Sequence, residues 1–289
     1  MRPFEFISVS NAEEAVKALA AAAPNGKPVA GCTDLLVEIK HEASSAETLV
    51  DISQLDELRG ISLVDEGLRI GASVTHTEIM DSELVAEHAP ALQDAAHTVG
   101  AVQTRTLGTL AGNLVTCVPS MDSGPTLMAL EAYVNILGSK GARQSSLQDL
   151  FVFVRKTSLE PDEIITDIIV PKKNLGKPTV FHKFGLRKGQ ALALVNAAGS
   201  LNVVDGKMAD VRISLGAVAP VVIRCLKAEA HLEGKSADDS AAITEAAGIA
   251  LSETSPIDDF RASKAYRNEL IKVLTKRCVE QSIAIANGK

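Results

Sequence analysis

The rhythm of apolar and polar positions changes along this chain, and each change predicts an element. Phe4-Glu5-Phe6-Ile7 alternates, the pattern of a strand. Ser10 or Asn11 can cap a helix that carries Glu13 and Glu14 in its first turn, where acids oppose the helix dipole, with an alanine-rich body to about Ala23. Pro24-Asn25-Gly26 stops it. Residues 27–30 predict a short strand, residues 33–40 a helix, and residues 49–52 another strand. This β-α-β-α-β order predicts a small parallel sheet ending near residue 57.

The next stretch has a different character. Residues 61–64 and 68–71 flank Asp65-Glu66-Gly67, a hairpin signal. Helices are predicted around residues 77–80, 90–99 and 121–130, and strands at 133–137 and 164–170. Residues 171–178, with a proline at each end, form the best linker candidate. Strands follow at 180–186, 195–204 and 211–218, the last two joined by Asp205-Gly206. Helices are then predicted at 223–232, 241–251 and 263–286. Sheet first and helices after is an α+β order. The chain has no internal repeat and no low-complexity tract.

Composition narrows the classes. A length of 289 residues accommodates two domains, or three small ones, and 46% apolar residues are enough for a full core. A net charge of −7 without any Lys/Arg block argues against a non-specific nucleic-acid binder. The lack of Trp and the few other aromatics argue against a base-stacking platform. No apolar run approaches the roughly 18 residues a membrane span needs. The opening Met1-Arg2-Pro3-Phe4-Glu5 does not resemble a signal peptide, so a cytoplasmic location with reduced thiols is expected. Cys32, Cys117, Cys225 and Cys278 form no C-x-x-C pair, which argues against zinc or an iron–sulfur cluster held within this chain.

Two glycine-centred segments carry the first candidate chemistry. Val29-Ala30-Gly31-Cys32-Thr33-Asp34-Leu35-Leu36 follows a predicted strand and opens a predicted helix. Gly108-Thr109-Leu110-Ala111-Gly112-Asn113-Leu114 follows Arg105. Small residues let backbone approach a ligand, and free N–H groups at such turns attract anions. Two such turns describe a cradle for a ligand with two phosphates, which makes a dinucleotide the first hypothesis. Each also has an ordinary reading: Thr33 as the N-cap of a tight turn, and residues 108–113 as a glycine-rich surface loop. Neither G-x-G-x-x-G nor G-x-x-x-x-G-K-[ST] is present. Asp122 can accept hydrogen bonds from ribose hydroxyls, or act as the acidic start of a helix. Lys183 and Arg187 can meet an anion or a flavin ring, or line a solvated strand edge. Cys32 can be a thiolate favoured at a helix start, or simply a small turn residue. The six histidines show no metal-binding spacing, and no Ser or Cys sits in a G-x-S-x-G elbow.

In order along the chain stand Phe4-Glu5-Phe6; Ala30-Gly31-Cys32-Thr33-Asp34-Leu35-Leu36; Gln103-Thr104-Arg105-Thr106-Leu107-Gly108-Thr109-Leu110-Ala111-Gly112-Asn113-Leu114; and Asp122-Ser123-Gly124-Pro125. Beyond residue 178 come Phe181-His182-Lys183 with Arg187, Gly216-Ala217-Val218-Ala219-Pro220 with Ile223-Arg224, and Arg261-Ala262-Ser263-Lys264-Ala265-Tyr266-Arg267. Together they resemble the FAD-binding medium subunit of the molybdenum hydroxylases, the group of xanthine, nicotinate and carbon monoxide dehydrogenases.

That resemblance implies a vanillyl-alcohol-oxidase-type FAD-binding region of two α/β subdomains, residues 1–57 and 58–172. An α+β domain with a three-stranded antiparallel sheet and helices follows at 178–289. It implies FAD contacts from Val29, Ala30, Gly31, Cys32, Thr33, Asp34 and Leu35, from Val99, from Thr109, Leu110, Ala111, Gly112 and Asn113, and from Asp122, Ile165 and Lys183. It assigns no metal ligand and no catalytic residue to this chain. It implies [2Fe–2S] clusters on a small partner subunit and a molybdenum–pterin on a large one, with electrons leaving the flavin for NAD or another acceptor. It also implies that the substrate site of the complex lies on the molybdenum subunit.

Three positions depart from the family pattern. Cys32 and Ala111 replace glycines, with the expectation that Gly31 and Gly112 take any unusual dihedrals. Ala191 stands where the family often has the Asp of D-I-A, which removes a carboxylate near the flavin. The insert that holds an extra cluster in the 4-hydroxybenzoyl-CoA reductase branch is also missing. Two other readings are a stand-alone flavin oxidase or dehydrogenase of the same fold, and a binding or assembly protein whose glycine turns are only structural. The sequence offers no His/Tyr/Glu constellation for the former.

Overall fold

A computed structural model describes residues 3–288; Met1, Arg2 and Lys289, at the ends of the first and last expected domains, lie outside the described residues. The first sheet is built from β1 (Glu5–Ser8), α1 (Ala12–Ala22), β2 (Gly26–Val29), α2 (Leu35–Lys40) and β3 (Thr48–Asp51). β3 lies between β1 and β2 and runs parallel to both, because helices return the chain to the same edge each time. The Asn11 side chain accepts from Glu14 N at 2.9 Å, and the Glu14 carboxylate accepts from Ser10 N at 2.8 Å, which fixes the start of α1. α1 buries Ala12, Ala15, Val16 and Leu19 at helical spacing.

The second sheet is five-stranded, in the order β4-β5-β10-β6-β7, with antiparallel neighbours throughout. Its chain order is β4 (Ile61–Val64), β5 (Gly67–Gly71), then six short helices: α3 (His76–Asp81), α4 (Glu83–His88), α5 (Pro90–Thr98), α6 (Val102–Leu107), α7 (Leu110–Thr116) and α8 (Ser123–Ala129). Next come β6 (Tyr133–Gly138), β7 (Gly141–Ser146), α9 (Leu147–Leu150), a small ribbon of β8 (Phe151–Phe153) and β9 (Lys156–Thr157), and β10 (Ile164–Pro171). β10 is central, so its side chains meet apolar neighbours on both faces and its sequence is a nearly unbroken apolar run. α4, α6 and α7 were not predicted, since six or seven residues are too few for a clear period.

The third sheet is antiparallel: β11 (Thr179–Gly185), β12 (Ala193–Val204), β13 (Lys207–Gly216) and β14 (Ile223–Arg224). It has four strands where three were expected. β14 takes the first residues of the predicted 223–232 helix, which starts instead at Leu226 because Ile223 and Arg224 pair with Leu215 and Ser214. α10 (Leu226–Leu232), α11 (Ser240–Ser252) and α12 (Lys264–Ala286) complete this core.

Residues 171–178 are held in place. They contain one 3₁₀ turn, Lys172–Asn174, whose buried Asn174 donates to Leu130 O at 2.7 Å. The second and third sheets meet across α8, whose seven residues are all buried. Glu131 bonds Lys173 at 2.6 Å and Arg212 at 3.2 Å across the same junction. Burial raises the Glu131 carboxyl, but these cations outweigh it and hold the group at about 2.

Candidate functional site

The two glycine segments meet back to back. A Cβ on Gly31 would overlap the carbonyl oxygen of Leu107, and one on Gly108 would stand 3.4 Å from Thr33 Oγ1 and 3.6 Å from His76 Cδ2. Gly31 is therefore required by close approach, while its φ is not in the left-handed region. The left-handed residue is Cys32, at φ +56°. This overturns the expectation that Gly31 would carry the unusual dihedral. The chain turns at residue 32 between β2 and α2, and Cys accepts a conformation that costs about 1–2 kcal/mol for an L-residue. The late start of α2, at Leu35, follows from the same turn. Gly112 likewise has no positive φ, and Ala111 is an ordinary buried helical residue.

Among the described residues, the backbone N–H groups of Gly31, Cys32, Thr33 and Asp34 find no acceptor. Four consecutive N–H groups without a partner are the donors that a backbone anion site needs. The second segment is a helix start and not a surface loop. Thr109 caps α7, its Oγ1 accepting from Gly112 N at 3.0 Å, while Leu110 N donates to Val74 O at 2.9 Å. Leu110 and Ala111 bury their side chains, so they offer the site only backbone. Asn113 Oδ1 accepts from Ser123 Oγ at 2.6 Å and joins α7 to the start of α8. His76 lies behind this turn, its N–H donating to Gly108 O at 3.0 Å. Burial, with Arg105 nearby, lowers the His76 imidazole to about 4, so the ring is neutral.

Next to this junction is a buried ion pair. Lys183 Nζ stands 2.5 Å from Asp122 Oδ2, with both side chains under a tenth exposed. Lys183 also donates to Thr98 O at 2.9 Å, and Asn196 Nδ2 donates to Asp122 Oδ1 at 3.0 Å and to Met121 O at 2.9 Å. Burial pushes the Asp122 carboxyl up, opposed by Lys183, Asn196 and Thr98. A Cβ on Gly216 would overlap Asn196 Oδ1, so the third sheet fixes this amide's position. A cavity of about 420 Å³ opens beside the pair, lined by Thr98, Lys183, Phe184, Arg187, Lys188 and Ala191 among others.

The remaining expected residues occupy varied places. Val29 is buried at the end of β2, with Ala30 next in chain, and Leu35 packs into the small core of the first sheet. Asp34 is exposed, and partial desolvation with Glu38 nearby raises its carboxyl. Burial also raises the Cys32 thiol, contrary to the activated-thiolate reading. Val99 follows α5, and its carbonyl already accepts from Arg105 Nη1 at 2.9 Å. Ile165 is buried in β10; the carbonyl of the next residue, Thr166, accepts from Ala72 N at 3.0 Å, on the strand that leads into Val74 and Thr75. Thr98, Asn196 and His76 belong to this neighbourhood and carry no motif in the sequence, whereas Ser123 stands in the Asp122-Ser123-Gly124-Pro125 segment. Asn196 carried a signal: it is the one polar residue in Leu194-Val195-Asn196-Ala197-Ala198.

Three main sheets, two glycine segments in contact and a buried Asp122–Lys183 pair are the features by which this chain can be compared with known proteins. Residues 2–173 match the FAD binding domain in molybdopterin dehydrogenase, and residues 180–282 match the CO dehydrogenase flavoprotein C-terminal domain. The chain belongs to this family of FAD-binding subunits of molybdopterin dehydrogenases. It is 31% identical to the xanthine dehydrogenase FAD-binding subunit of Escherichia coli O157:H7, over 99% of each chain. It is 28% identical to the glyceraldehyde dehydrogenase medium chain of Sulfolobus acidocaldarius, over 96% of this chain and 98% of that one. Among solved structures, carbon monoxide dehydrogenase from Hydrogenophaga pseudoflava superposes with a TM-score of 0.94 at 28% identity, covering 98% of each chain. Quinoline 2-oxidoreductase from Pseudomonas putida 86 gives 0.92 at 28% identity, covering 99% of this chain and 98% of that one.

Proposed function

We propose that this chain binds FAD and serves as the electron-transfer subunit of a molybdenum hydroxylase. It takes electrons from [2Fe–2S] clusters on a small subunit, fed by a molybdenum–pterin centre on a large subunit, and passes them to NAD or another acceptor. The observation that carries the reading is the meeting of Gly31 with Leu107 and Gly108, which brings two separate glycine segments together. The free N–H groups of residues 31–34 suit a pyrophosphate, and the cavity of about 420 Å³ beside Lys183 gives room for a ring system. The family match supports the same cofactor.

In this reading Val29, Ala30, Gly31, Cys32, Thr33, Asp34 and Leu35 form the first cofactor wall, and Thr109, Leu110, Ala111, Gly112 and Asn113 the second. Val99, Asp122, Ile165 and Lys183 complete it. The flavin, when bound, supplies the redox chemistry. The protein holds and orients it and keeps a fixed charge pair beside it. The lining of the cavity includes no His, Tyr, Asp or Glu to take a proton from an organic substrate, which favours an electron-transfer subunit over a stand-alone oxidase. We assign the subdomains to residues 1–57 and 58–172, the C-terminal domain to 178–289, and the protein to the cytoplasm. The test is purification with its genomic neighbours. Near-stoichiometric FAD released on denaturation, and stable co-elution with iron–sulfur and molybdenum subunits, are expected. A colourless chain that does not take up added FAD overturns the proposal.

A further inference from the structure

The cavity beside Lys183 is cationic at its rim. The Lys183 charge is balanced by Asp122 at 2.5 Å. Arg187 and Lys188 are exposed, and neither forms an ion pair among the described residues. Arg187 donates only to the Gln190 carbonyl, at 2.7 Å from Nη2 and 3.2 Å from Nε. Gln190 N in turn donates to Gly100 O at 2.8 Å, which ties the loop bearing both cations to the chain just after α5. The lining holds no carboxylate, and Ala191 stands on the same loop as the two cations without adding one. The loop therefore presents two uncompensated positive charges over a cavity whose inner wall is Thr98 and Lys183.

We propose that this rim is a binding site for a small anionic electron acceptor, with Arg187 and Lys188 as its specificity-determining residues. The proposal rests on the flavin reading for what lies beneath the rim. Positive charge around a concave site concentrates anions and steers them in, and it repels a small cation such as a phenazinium dye. Oxidising a two-electron-reduced flavin consumes two equivalents of a one-electron acceptor; each equivalent gains one electron, and the flavin protons leave to solvent. The acceptor becomes more negative as it is reduced.

The test compares the FAD-loaded full chain and its holo-complex with Arg187→Gln/Lys188→Gln and with Ala191→Asp. Calorimetry measures binding of hexacyanocobaltate, a redox-inert trianion. Stopped-flow measures reoxidation by ferricyanide and by a cationic phenazinium dye. The double variant is expected to bind the trianion about tenfold more weakly and to lose about tenfold in kcat/KM with ferricyanide at low salt, while the phenazinium rate rises. Ala191→Asp, a lesser change should the double variant fold poorly, moves both acceptors in the same directions. Raising ionic strength to about 0.15 M, where the Debye length is about 8 Å, should slow ferricyanide with the wild type and much less with the double variant. Unchanged trianion binding, or loss of FAD from the variants, overturns the acceptor site. A wild-type chain that binds the trianion through Arg187 and Lys188 but takes up no FAD keeps the anion site and overturns the flavin reading.

Discussion

Gly31 lies so close to the carbonyl of Leu107 that residue 31 has no room for a side chain. The contact joins segments far apart in sequence, and the shape of the proposed anion site depends on it. A single added methyl group must push α6 away from the first turn. Overpacking of this kind costs about 1–3 kcal/mol. Gly31→Ala is therefore expected to weaken FAD retention about tenfold or more, and Gly31→Val to abolish it. Released FAD after gel filtration measures this. Hydrogen exchange of β12 amides should be unchanged, because that sheet has its own core. Full flavin retention by Gly31→Val would remove the first turn from the site.

The Asp122–Lys183 pair gives a pH-dependent prediction. Lys183→Met leaves a buried carboxylate without its cation, a change that costs about 3–5 kcal/mol. Asp122 is already raised by burial, and losing Lys183 raises it further. A folded carboxyl above its unfolded value binds more protons than the unfolded chain in the window between the two. Stability of Lys183→Met therefore falls as pH rises through that window, beyond any such fall in the wild type. Denaturant melts between pH 4.5 and 8 measure it, and adding Asp122→Asn should recover much of the loss.

His76 has the opposite sign. Its folded value of about 4 lies below the ordinary 6.5, so the unfolded state takes up the proton first on acidification. The protein loses stability from about pH 6.5 down to about 4, and a shift of that size corresponds to about 3 kcal/mol. Comparing wild type with His76→Gln at pH 7 and pH 4.5 isolates this contribution. Equal acid sensitivity in the two proteins would falsify the assignment.

Cys32 tests the turn from its other side. Cys32→Gly relieves the left-handed φ of +56° and is expected to fold and hold flavin as well as the wild type. Cys32→Val places a β-branched residue in that region and should lower both melting temperature and FAD content. Identical behaviour of the two variants would show that residue 32 does not need this conformation.

Much of the fold could be read from the chain. The alternation at Phe4–Ile7, the capped helix after Asn11 and the apolar run of β10 each specify their element through local chemistry. The site was legible in its parts and not in their contact. Residues 108–113 looked like a loop because α7 is only seven residues long and contains Gly112. Cys32 was expected to be regular because its φ is set by how β2 must enter α2, which no single-residue preference reveals. Asn196 and Thr98 reach Asp122 and Lys183 only through tertiary contact, and neither belongs to a motif.

The buried pair also bears on synthesis. Asp122 is made well before Lys183, and the two lie on opposite sides of residues 171–178. A nascent chain that has emerged only as far as β10 holds the acid, both glycine turns and most of the main core, but not the ammonium group that balances the acid. Asn196 is then also still to come. That wall of the pocket reaches its final electrostatic form only after β11 and β12 have left the ribosome and docked on α8, so maturation of the site is a late event that requires the whole polypeptide.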